Sequence, residues 1–252
     1  MKRVVLITGV LGGIGHATAK VFKSSGWEVI GVDRLKDDDK NNAVDLFIQE
    51  DISKDGAVNR IFTKVRDHYS RIDALVNNAA LQIVKSITET TEEEWDDVFN
   101  SNVKAIFRTI KHAYPLLVIG GGAIVNVSSV HAFATSKNIS AYAASKGALL
   151  AFTRSISLEF AKDKIRANAV IPGAVRTHML MSGLSRGQQD DEPVEMLVDK
   201  LGLRHPIHRI GEPEEIGKLI YFLSDNTQSS FITGQSFVAD GGALAQLSTE
   251  VS

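Results

Sequence analysis

Cysteine is absent from the 252 residues of this chain. Disulfide bonds, thiolate metal ligands and a thiol nucleophile are therefore excluded. His205 and His208 form a His-x-x-His pair, but the neighbouring sequence offers no third ligand, so we expect no metal site. A chain without disulfides suits a reducing compartment, and we expect a cytoplasmic protein.

A strong charge of either sign and a long apolar run are also missing. The formal net charge is -2 at pH 7, which provides no basic surface for nucleic acid. The first apolar run covers only residues 4–7, too short for a signal peptide, and no later run approaches the roughly 18 apolar residues of a membrane span. We therefore expect neither a nucleic-acid partner nor a membrane partner.

What the chain does contain is an alternation of short apolar runs and longer amphipathic stretches. Near-continuous apolar runs are typical of strands buried on both faces of a parallel sheet. The runs are RVVLITG, EVIGVD, ALVNNA, AIVNVSS and IRANAVIPG, and the amphipathic stretches cover residues 14–25, 55–69, 91–117 and 140–161. This pattern predicts an α/β protein with a doubly wound parallel sheet, helices on both faces, and one domain over residues 1–252.

The region 178–213 interrupts the alternation. It is polar and contains several glycines and prolines. Loops of that length are usually functional lids or disordered segments. We interpret the region as a mobile insertion that forms a lid over the substrate.

Glycines lie between the first predicted strand and the first predicted helix, at Gly9, Gly13 and Gly15. Glycines there permit a tight turn and let backbone N–H groups and the helix N-terminus approach a pyrophosphate. The G-x-x-x-G-x-G spacing differs from G-x-G-x-x-G, and no Gly-Lys-Ser/Thr follows as in a phosphate-binding P-loop. The flanking strand and helix favour a nucleotide site over a plain tight turn.

Asp33 ends the second predicted strand, 18 residues after Gly15. A carboxylate at that point can accept hydrogen bonds from an adenosine ribose and repels a 2′-phosphate, which favours NAD over NADP. The adjacent Arg34 could instead hold a phosphate, so NADP stays an alternative. Asp33 could also be an ordinary turn residue at a strand end.

Tyr142 and Lys146 lie four residues apart in a predicted helix. A free tyrosine has a pKa of about 10 and is a poor proton acceptor at pH 7. One positive charge at about 4 Å, at an effective dielectric of about 20, contributes roughly 4 kcal/mol, enough to lower the pKa of Tyr142 by two to three units. An oxidised nicotinamide would add a second positive charge. Chance can also produce the pair, but Ser129, 13 residues earlier at the end of a predicted strand, could hydrogen-bond a substrate oxygen beside the phenol.

Taken together, the motifs resemble the short-chain dehydrogenase/reductase family over nearly the whole chain. The matching segments are T-G-x-x-x-G-I-G at residues 8–15, Asp51-Ile52, N-N-A-A at residues 77–80, Asn102, Ser129, the Y-x-x-x-K of Tyr142 and Lys146, Pro172-Gly173 with Val175 and Thr177, and D-G-G at residues 240–242. The sequence departs from the family pattern at Val10, Leu11, Ala80 and Arg176.

The resemblance implies a Rossmann-type fold and a catalytic tetrad. Tyr142 would donate or accept the proton, Lys146 would lower its pKa and bind the nicotinamide ribose, Ser129 would orient the substrate oxygen, and Asn102 would hold a water in a proton relay. The resemblance also implies a set of cofactor-binding residues: Gly9, Gly12, Gly13, Ile14, Gly15, Asp33, Arg34, Asp51, Ile52, Asn78, Ala79, Tyr142, Lys146, Pro172, Gly173, Val175 and Thr177.

The expected activity is hydride transfer between a nicotinamide, NAD being preferred, and a small secondary alcohol or its ketone. One alternative is an NADP-linked ketone reductase of the 3-oxoacyl type. Another is a nucleotide-sensing protein without turnover, which would not need the tetrad. The sequence does not name the substrate, and His131 could either contact it or be an ordinary loop residue.

Two of the predicted helices carry more apolar residues than one buried face needs. These residues are Val98, Ile106, Phe107 and Ile110 on the first helix, and Ala148, Ala151, Phe152 and Leu158 on the second. An apolar surplus on a surface helix favours a partner interface. The family resemblance implies a homotetramer built on these helices, whereas coverage of the surplus by residues 243–252 would leave a monomer.

Overall fold

The computed structural model describes residues 2–37, 42–186 and 193–247. Its centre is a seven-stranded sheet in the order β3-β2-β1-β4-β5-β6-β7, in which every neighbouring pair is parallel. The strands are β1 (Val4–Thr8), β2 (Glu28–Asp33), β3 (Leu46–Gln49), β4 (Ala74–Asn77), β5 (Ala123–Val127), β6 (Arg166–Pro172) and β7 (Ser236–Ala239). The five predicted strands are confirmed as β1, β2, β4, β5 and β6.

Helices cover both faces of the sheet, as predicted. They are α1 (Gly13–Ser24), α2 (Ala57–His68), α3 (Glu92–Phe99), α4 (Ala105–Leu117), α5 (Ser140–Glu159), α6 (His178–Arg186), α7 (Val194–Gly202), α8 (Pro213–Ser224) and the single turn α9 (Asn226–Ser229). Apolar residues of α1 and α8 pack in one buried cluster, and those of α2, α4 and α5 pack in another. The sheet is therefore doubly wound.

The strand order reverses between β1 and β4. From β1 the chain builds outward through β2 and β3, and then returns to place β4 on the other side of β1. In an open α/β sheet, a crevice forms at such a point outside the carboxyl ends of the strands. Thr8 ends β1 and Asn77 ends β4, so the glycine loop and the N-N-A-A segment both start at this crevice.

Both strands that sequence analysis missed lie at the edges of the sheet. β3 has only four residues, and β7 alternates between exposed and partly buried residues. Edge strands need no continuous apolar run, because one side of each faces solvent. The apolar-run criterion therefore found the buried strands and overlooked the edges.

The single helix predicted over residues 91–117 is interrupted. A π-helical segment, Asn100–Lys104, separates α3 from α4. The segment widens one turn of an otherwise continuous helix, and such π-helical turns are frequent at functional sites. Thr91 caps α3 with a capping box to Glu94, so the start of the predicted helix is correct to within one residue.

The region 178–213 contains two helices, α6 and α7, rather than a long loop. Residues 187–192 of this predicted insertion lie outside the described residues. After α7, Gly211 forms a parallel bridge with Val175, which ties the end of the region to the chain that follows β6.

The predicted apolar surplus on the two surface helices is wrong in part. Val98, Ile106 and Ile110 are buried, because α3 and α4 turn them into the protein. Phe107 remains 50% exposed and Leu158 remains 78% exposed. Residues 248–252 of the C-terminal segment that could cover this surface lie outside the described residues.

Candidate active site

Ser129 lies just beyond the carboxyl end of β5. Its side chain accepts a hydrogen bond of 3.3 Å from the backbone N–H of His131 and so caps a short 3-10 helix, Val130–Ala132. The preceding Ser128 donates a hydrogen bond of 2.9 Å from Oγ to the carbonyl of Lys146. The two serines therefore connect the end of β5 to both the turn that follows it and helix α5.

Tyr142 lies in the first turn of α5, and its side chain is buried. A hydrogen bond with Ser129 acts on the phenol and favours its ionised form. Ser129 therefore acts next to the phenol, and its predicted role of binding the substrate oxygen stays a prediction. Alanines on both sides of Tyr142 leave room for the helix to approach the end of β5 closely.

Lys146 is 1% exposed, and its Nζ donates a hydrogen bond of 2.8 Å to the carbonyl of Val127. The same Nζ lies 5.5 Å from the centroid of the Tyr142 ring. The four-residue spacing in α5 thus brings the ammonium against the phenol, as predicted, while the last carbonyl of β5 holds the lysine in place.

The predicted effect of Lys146 on Tyr142 is not what the structure shows. Burial raises the pKa of Tyr142 to about 12, with the hydrogen bond from Ser129 opposing it, and burial lowers the pKa of Lys146 to about 8. Burial disfavours the charged form of both groups. The spacing in sequence predicted the proximity of the charges but could not predict the depth at which they lie.

Asn102 sits in the π-helical segment and is fully buried. Its Oδ1 accepts a hydrogen bond of 2.7 Å from the backbone N–H of Leu81, and its Nδ2 donates to the carbonyl of Leu81 at 2.9 Å. Nδ2 also lies 3.0 Å from Oγ of Ser145, and that hydroxyl donates to the carbonyl of Tyr142 at 2.7 Å. Asn102 therefore connects the segment after β4 to α5, and its role in a proton relay stays a prediction.

Ser145 is a site residue that sequence analysis missed. It is fully buried, directly precedes Lys146, and joins Asn102 to the first turn of α5. The available signal was a serine three residues after Tyr142, on the same face of the helix as the phenol. A serine in a run of small residues is too common for that signal to stand out.

The glycine loop packs too closely for side chains. A Cβ added to Gly15 would lie 2.0 Å from the carbonyl oxygen of Gly9, and a Cβ added to Gly13 would lie 2.9 Å from Cγ2 of Thr177. Gly12 precedes α1, and no side-chain cap satisfies the first turn of that helix. The loop therefore presents backbone at the helix N-terminus, where Ile14 is partly buried.

Hydrogen bonds attach the segment after β4 to the glycine loop. Nδ2 of Asn78 donates to the carbonyls of Thr8 and Gly9, at 3.1 and 3.0 Å. The backbone N–H of Ala79 donates to Oγ1 of Thr8 at 3.2 Å. Asn78 and Ala79 thus form the wall of the crevice beside Gly9, and their contact with a cofactor stays a prediction.

Asp33 lies at the end of β2 and uses both carboxylate oxygens locally. Oδ2 accepts a hydrogen bond of 2.9 Å from the backbone N–H of Leu11, and Oδ1 accepts one of 3.0 Å from that of Leu35. The carboxylate therefore holds the glycine loop against β2 in addition to any contact with a nucleotide. The side chain of Arg34 is exposed next to it.

The remaining predicted cofactor residues lie along the same edge of the sheet. Asp51 follows β3, and its Oδ1 accepts hydrogen bonds from the backbone and hydroxyl of Ser53 at 3.0 and 2.7 Å. Ile52 is part of the buried apolar cluster. Pro172 ends β6, Gly173 donates to the carbonyl of Ala239 at 3.0 Å, Val175 pairs with Gly211, and Thr177 packs against Gly13.

A cavity of about 670 Å³ lies between α7 and α8. Its lining includes Arg176, Arg209 and Glu215 but none of the tetrad. Arg209 and Glu215 are paired at 2.7 Å, so these cavity charges already neutralise each other. The crevice at the carboxyl ends of β1, β4 and β5 holds the groups with catalytic chemistry, and we take it as the candidate site.

Two further observations concern the described residues alone. Residues 2–37, 42–186 and 193–247 contain no group of three or more His, Asp or Glu side chains arranged to hold a metal ion. Within the same ranges, no helix has the length and apolar character needed to cross a membrane.

Comparison with known proteins places this arrangement among oxidoreductases. Residues 9–243 match the family described as enoyl-(acyl carrier protein) reductase. A 3-oxoacyl-[acyl-carrier-protein] reductase of Thermotoga maritima is 34% identical over 252 residues, covering 96% of this chain and 98% of the relative.

Solved structures with the same fold also match over almost the full length. Thermoplasma acidophilum aldohexose dehydrogenase, in ligand-free form, superposes with a TM-score of 0.92 at 30% identity, covering 100% of this chain and 97% of the other. The structure of ElxO with NADP bound superposes with a TM-score of 0.86 at 30% identity, covering 98% of this chain and 100% of the other. The chain therefore belongs to the short-chain dehydrogenase/reductase family of oxidoreductases, which bind NAD(P).

Proposed function

We propose that this protein transfers a hydride between the nicotinamide of NAD and a secondary alcohol or its ketone, with Tyr142 as the general acid and base. The observation that carries the proposal is the arrangement of one phenol between two partners. The Ser129 hydroxyl acts on the phenol to favour its ionised form, and Nζ of Lys146 lies 5.5 Å from the centroid of the phenol ring. A buried phenol with a hydroxyl and an ammonium beside it suits proton exchange with a substrate oxygen.

The residues present fit a dinucleotide. Gly15 could carry no side chain, because a Cβ there would lie 2.0 Å from the carbonyl oxygen of Gly9. The first turn of α1 lacks a side-chain cap and an acidic residue, which leaves its N–H groups and positive dipole end for a phosphate. Asp33, Asp51 and Ile52 would hold the adenosine end, and the chain from Pro172 to Thr177, together with Lys146, would hold the nicotinamide end.

When bound, the dinucleotide would supply the ring that accepts or donates the hydride. The protein would supply the proton and the orientation of the substrate. The hydroxyl of Ser129 and the phenol of Tyr142 would bind the substrate oxygen together, which sets the reacting carbon in one position. The hydrogen bond from Nζ of Lys146 to the carbonyl of Val127 would keep the ammonium in place beside the phenol of Tyr142.

The ionisation states favour one direction of proton transfer at neutral pH. With its pKa raised to about 12, Tyr142 carries its proton and is ready to donate it to a carbonyl oxygen. Accepting a proton from an alcohol requires stabilised phenolate. Because the pKa of Tyr142 is raised to about 12, the phenolate fraction grows only as the pH becomes alkaline, and alcohol oxidation is expected there.

The preference for NAD rests on Asp33. Its carboxylate lies at the end of β2, beside the glycine loop, where it would face an adenosine ribose and repel a 2′-phosphate. The alternative is an NADP-linked reductase of the 3-oxoacyl type. That alternative is favoured by the exposed Arg34, by the 3-oxoacyl reductase of Thermotoga maritima and by the NADP in the ElxO structure.

Initial rates separate the two possibilities. Absorbance at 340 nm would be followed with NAD and NADP against a panel of secondary alcohols, and with NADH and NADPH against the matching ketones and a 3-oxoacyl thioester. A higher kcat/KM with NAD and simple alcohols supports the proposal. A preference for NADPH and the thioester supports the alternative.

We further propose that the chain forms one catalytic domain in which α6 and α7 act as the substrate lid. Arg176 directly precedes Thr177, which packs on the glycine loop, and its guanidinium reaches Glu195 of α7 at 3.0 Å and Glu212 at 3.3 Å. These ion pairs link α7 to the edge of the cofactor crevice. Closure of α6 and α7 over the crevice would exclude water during hydride transfer.

The assembly we propose is a homotetramer. Phe107 on α4 and Leu158 on α5 retain exposed apolar surface, and Ala151, also exposed on α5, is small enough to allow a symmetry mate to approach closely. Because Val98, Ile106 and Ile110 are buried, the exposed apolar surface is smaller than predicted, but Phe107 and Leu158 still contribute to it. A cytoplasmic location stays a prediction from the absence of cysteine.

A further inference from the structure

His131 lies beside the proposed proton donor, Tyr142. Its ring centroid is 6.0 Å from that of Tyr142, at an interplanar angle of 75°, so the two rings meet edge to face. The backbone N–H of the same residue donates to Oγ of Ser129. One short turn therefore positions both the hydroxyl that binds the substrate oxygen and an imidazole next to it.

The turn does not need the imidazole for its own stability. Val130 and Ala132, on either side of His131, pack against the buried cluster of Leu150, Ala169 and Ile171. Ser129 caps the turn from its N-terminal end. Because packing and capping already hold the backbone, the His131 side chain is available for another function.

One imidazole nitrogen is occupied and the other is available to a ligand. Nδ1 lies 3.3 Å from Oγ1 of Thr135, at hydrogen-bonding distance. This contact leaves Nε2 as a donor or an acceptor, depending on which nitrogen carries the proton. A hydroxyl group can serve either state, because it both donates and accepts.

The surroundings of His131 favour an uncharged ligand. Burial is the cause that lowers the pKa of His131, so the ring is neutral at pH 7. A carboxylate on the substrate would meet a neutral ring at His131, whereas the burial of a hydroxyl would be compensated by a hydrogen bond to that ring.

We propose that His131 binds a second oxygen of the substrate, on the carbon next to the reacting carbon, so that the preferred substrates are vicinal diols and the matching α-hydroxyketones. This inference rests on the proposed function and names its substrate class. The Tyr142 and His131 rings lie side by side, with centroids 6.0 Å apart, so a small substrate held at the phenol would carry its next carbon toward the imidazole.

The test compares two substrates that differ by one hydroxyl, butane-2,3-diol and butan-2-ol. The ratio of their kcat/KM values would be measured with NAD for the wild type, His131→Phe and His131→Gln. We expect the wild type to prefer the diol at least tenfold. His131→Phe should lower the ratio by about 10- to 100-fold, as expected for one lost hydrogen bond in a recessed site, and His131→Gln should restore part of it.

Phe133→Ala serves as the matched control, because Phe133 belongs to the same turn and is exposed. It should leave the ratio within about threefold of the wild-type value. A wild-type ratio near one, or an equal loss on both substrates in His131→Phe, would overturn the inference. A His131-dependent preference for lactate over both alcohols would also overturn it, by assigning a carboxylate to this position.

A binding measurement distinguishes failure of this inference from failure of the proposed function. Saturation-transfer NMR would compare the diol with butan-2-ol on the protein mixed with NAD, and needs no turnover. Turnover of no alcohol or ketone with either dinucleotide would contradict the proposed function. Diol binding no stronger than butan-2-ol binding, or diol binding unchanged in His131→Phe, would contradict the assignment of His131 whatever the activity.

Discussion

Nζ of Lys146 donates a hydrogen bond of 2.8 Å to the carbonyl of Val127, the last residue of β5. The bond crosses from the middle of α5 to the end of the strand that leads to Ser129. This hydrogen bond fixes Lys146, and the turn of α5 that carries Tyr142, relative to Ser129. The hydrogen bond from Oγ of Ser128 to the carbonyl of Lys146 acts in the same way. The end of β5 therefore positions Lys146 and Ser129 on either side of the Tyr142 phenol.

Tyr142→Phe should abolish turnover while leaving dinucleotide affinity within about threefold, because only the ionisable oxygen is lost. General acid–base catalysis contributes about 10²–10⁴-fold to rate. The measurements are kcat from absorbance at 340 nm and affinity from NADH fluorescence. Tyr114→Phe is the control, since that hydroxyl donates to Asp163 and to no member of the tetrad, and it should retain wild-type kcat. More than about a tenth of wild-type rate in Tyr142→Phe would remove Tyr142 from the role.

The pH dependence of alcohol oxidation should follow the phenol. Because the pKa of Tyr142 is raised to about 12, the phenolate fraction increases with pH throughout the range in which the protein stays folded. We expect kcat for oxidation to rise from pH 7 to 10 and kcat for ketone reduction to stay level or fall. An oxidation rate independent of pH over that range, with chemistry shown to be rate-limiting by a deuterium isotope effect, would contradict this assignment.

Lys146→Met should change how stability depends on pH. The pKa of Lys146 is lowered to about 8 from 10.5, so between those values the unfolded chain binds more protons than the folded protein, and stability rises with pH. Below about pH 8, the buried ammonium destabilises the fold by roughly 3 kcal/mol. The free energy of unfolding, measured with urea at pH 7, 8, 9 and 10, should rise with pH for the wild type but not for Lys146→Met. Lys200→Met is a control on an exposed helix position. Parallel curves for wild type and Lys146→Met would show that the ammonium is not buried in solution.

Asp33→Asn tests the cofactor preference with the smallest change of shape. The amide keeps an acceptor for Leu11 or Leu35 and removes the negative charge that would repel a 2′-phosphate. The ratio of kcat/KM for NADP over NAD should rise about tenfold or more, since each tenfold corresponds to about 1.4 kcal/mol. Arg34→Gln should move the ratio little. A wild type that already prefers NADP would contradict the NAD assignment, and a fall in the ratio for Arg34→Gln would give the arginine the role.

Leu158→Glu tests the proposed tetramer. Leu158 is 78% exposed on α5, so the substitution should leave the fold intact and place a charge in the proposed interface. Light scattering after gel filtration should give a wild-type mass near four times the 27.4 kDa chain and a smaller species for the variant. A single wild-type species near the chain mass would contradict the interface.

The central strands and the glycine loop were predictable from the sequence. A strand buried on both faces must be apolar along its length, and β1, β4, β5 and β6 are apolar enough to be recognised. The glycine loop was recognisable for a related reason, since close backbone packing admits no side chain at Gly15. Short edge strands such as β7 need no continuous apolar run, so they were not recognised. The π-helical turn at Asn102 was not predictable either, because Asn102 contacts Leu81 and Ser145, which lie far from it in sequence.

The sequence by itself determined which groups meet: a four-residue spacing in a helix places Tyr142 and Lys146 on one face, and strand ends place Ser129 and Asn78 at one edge of the sheet. Only the tertiary structure decided how those groups behave. Burial raises the pKa of the Tyr142 phenol and lowers the pKa of the Lys146 ammonium, against the expectation from charge proximity alone. The turn after β5 likewise decided that the His131 ring meets Tyr142. Proximity along a helix is a local property, whereas desolvation is the sum of everything packed around a group, and no spacing in the sequence records it.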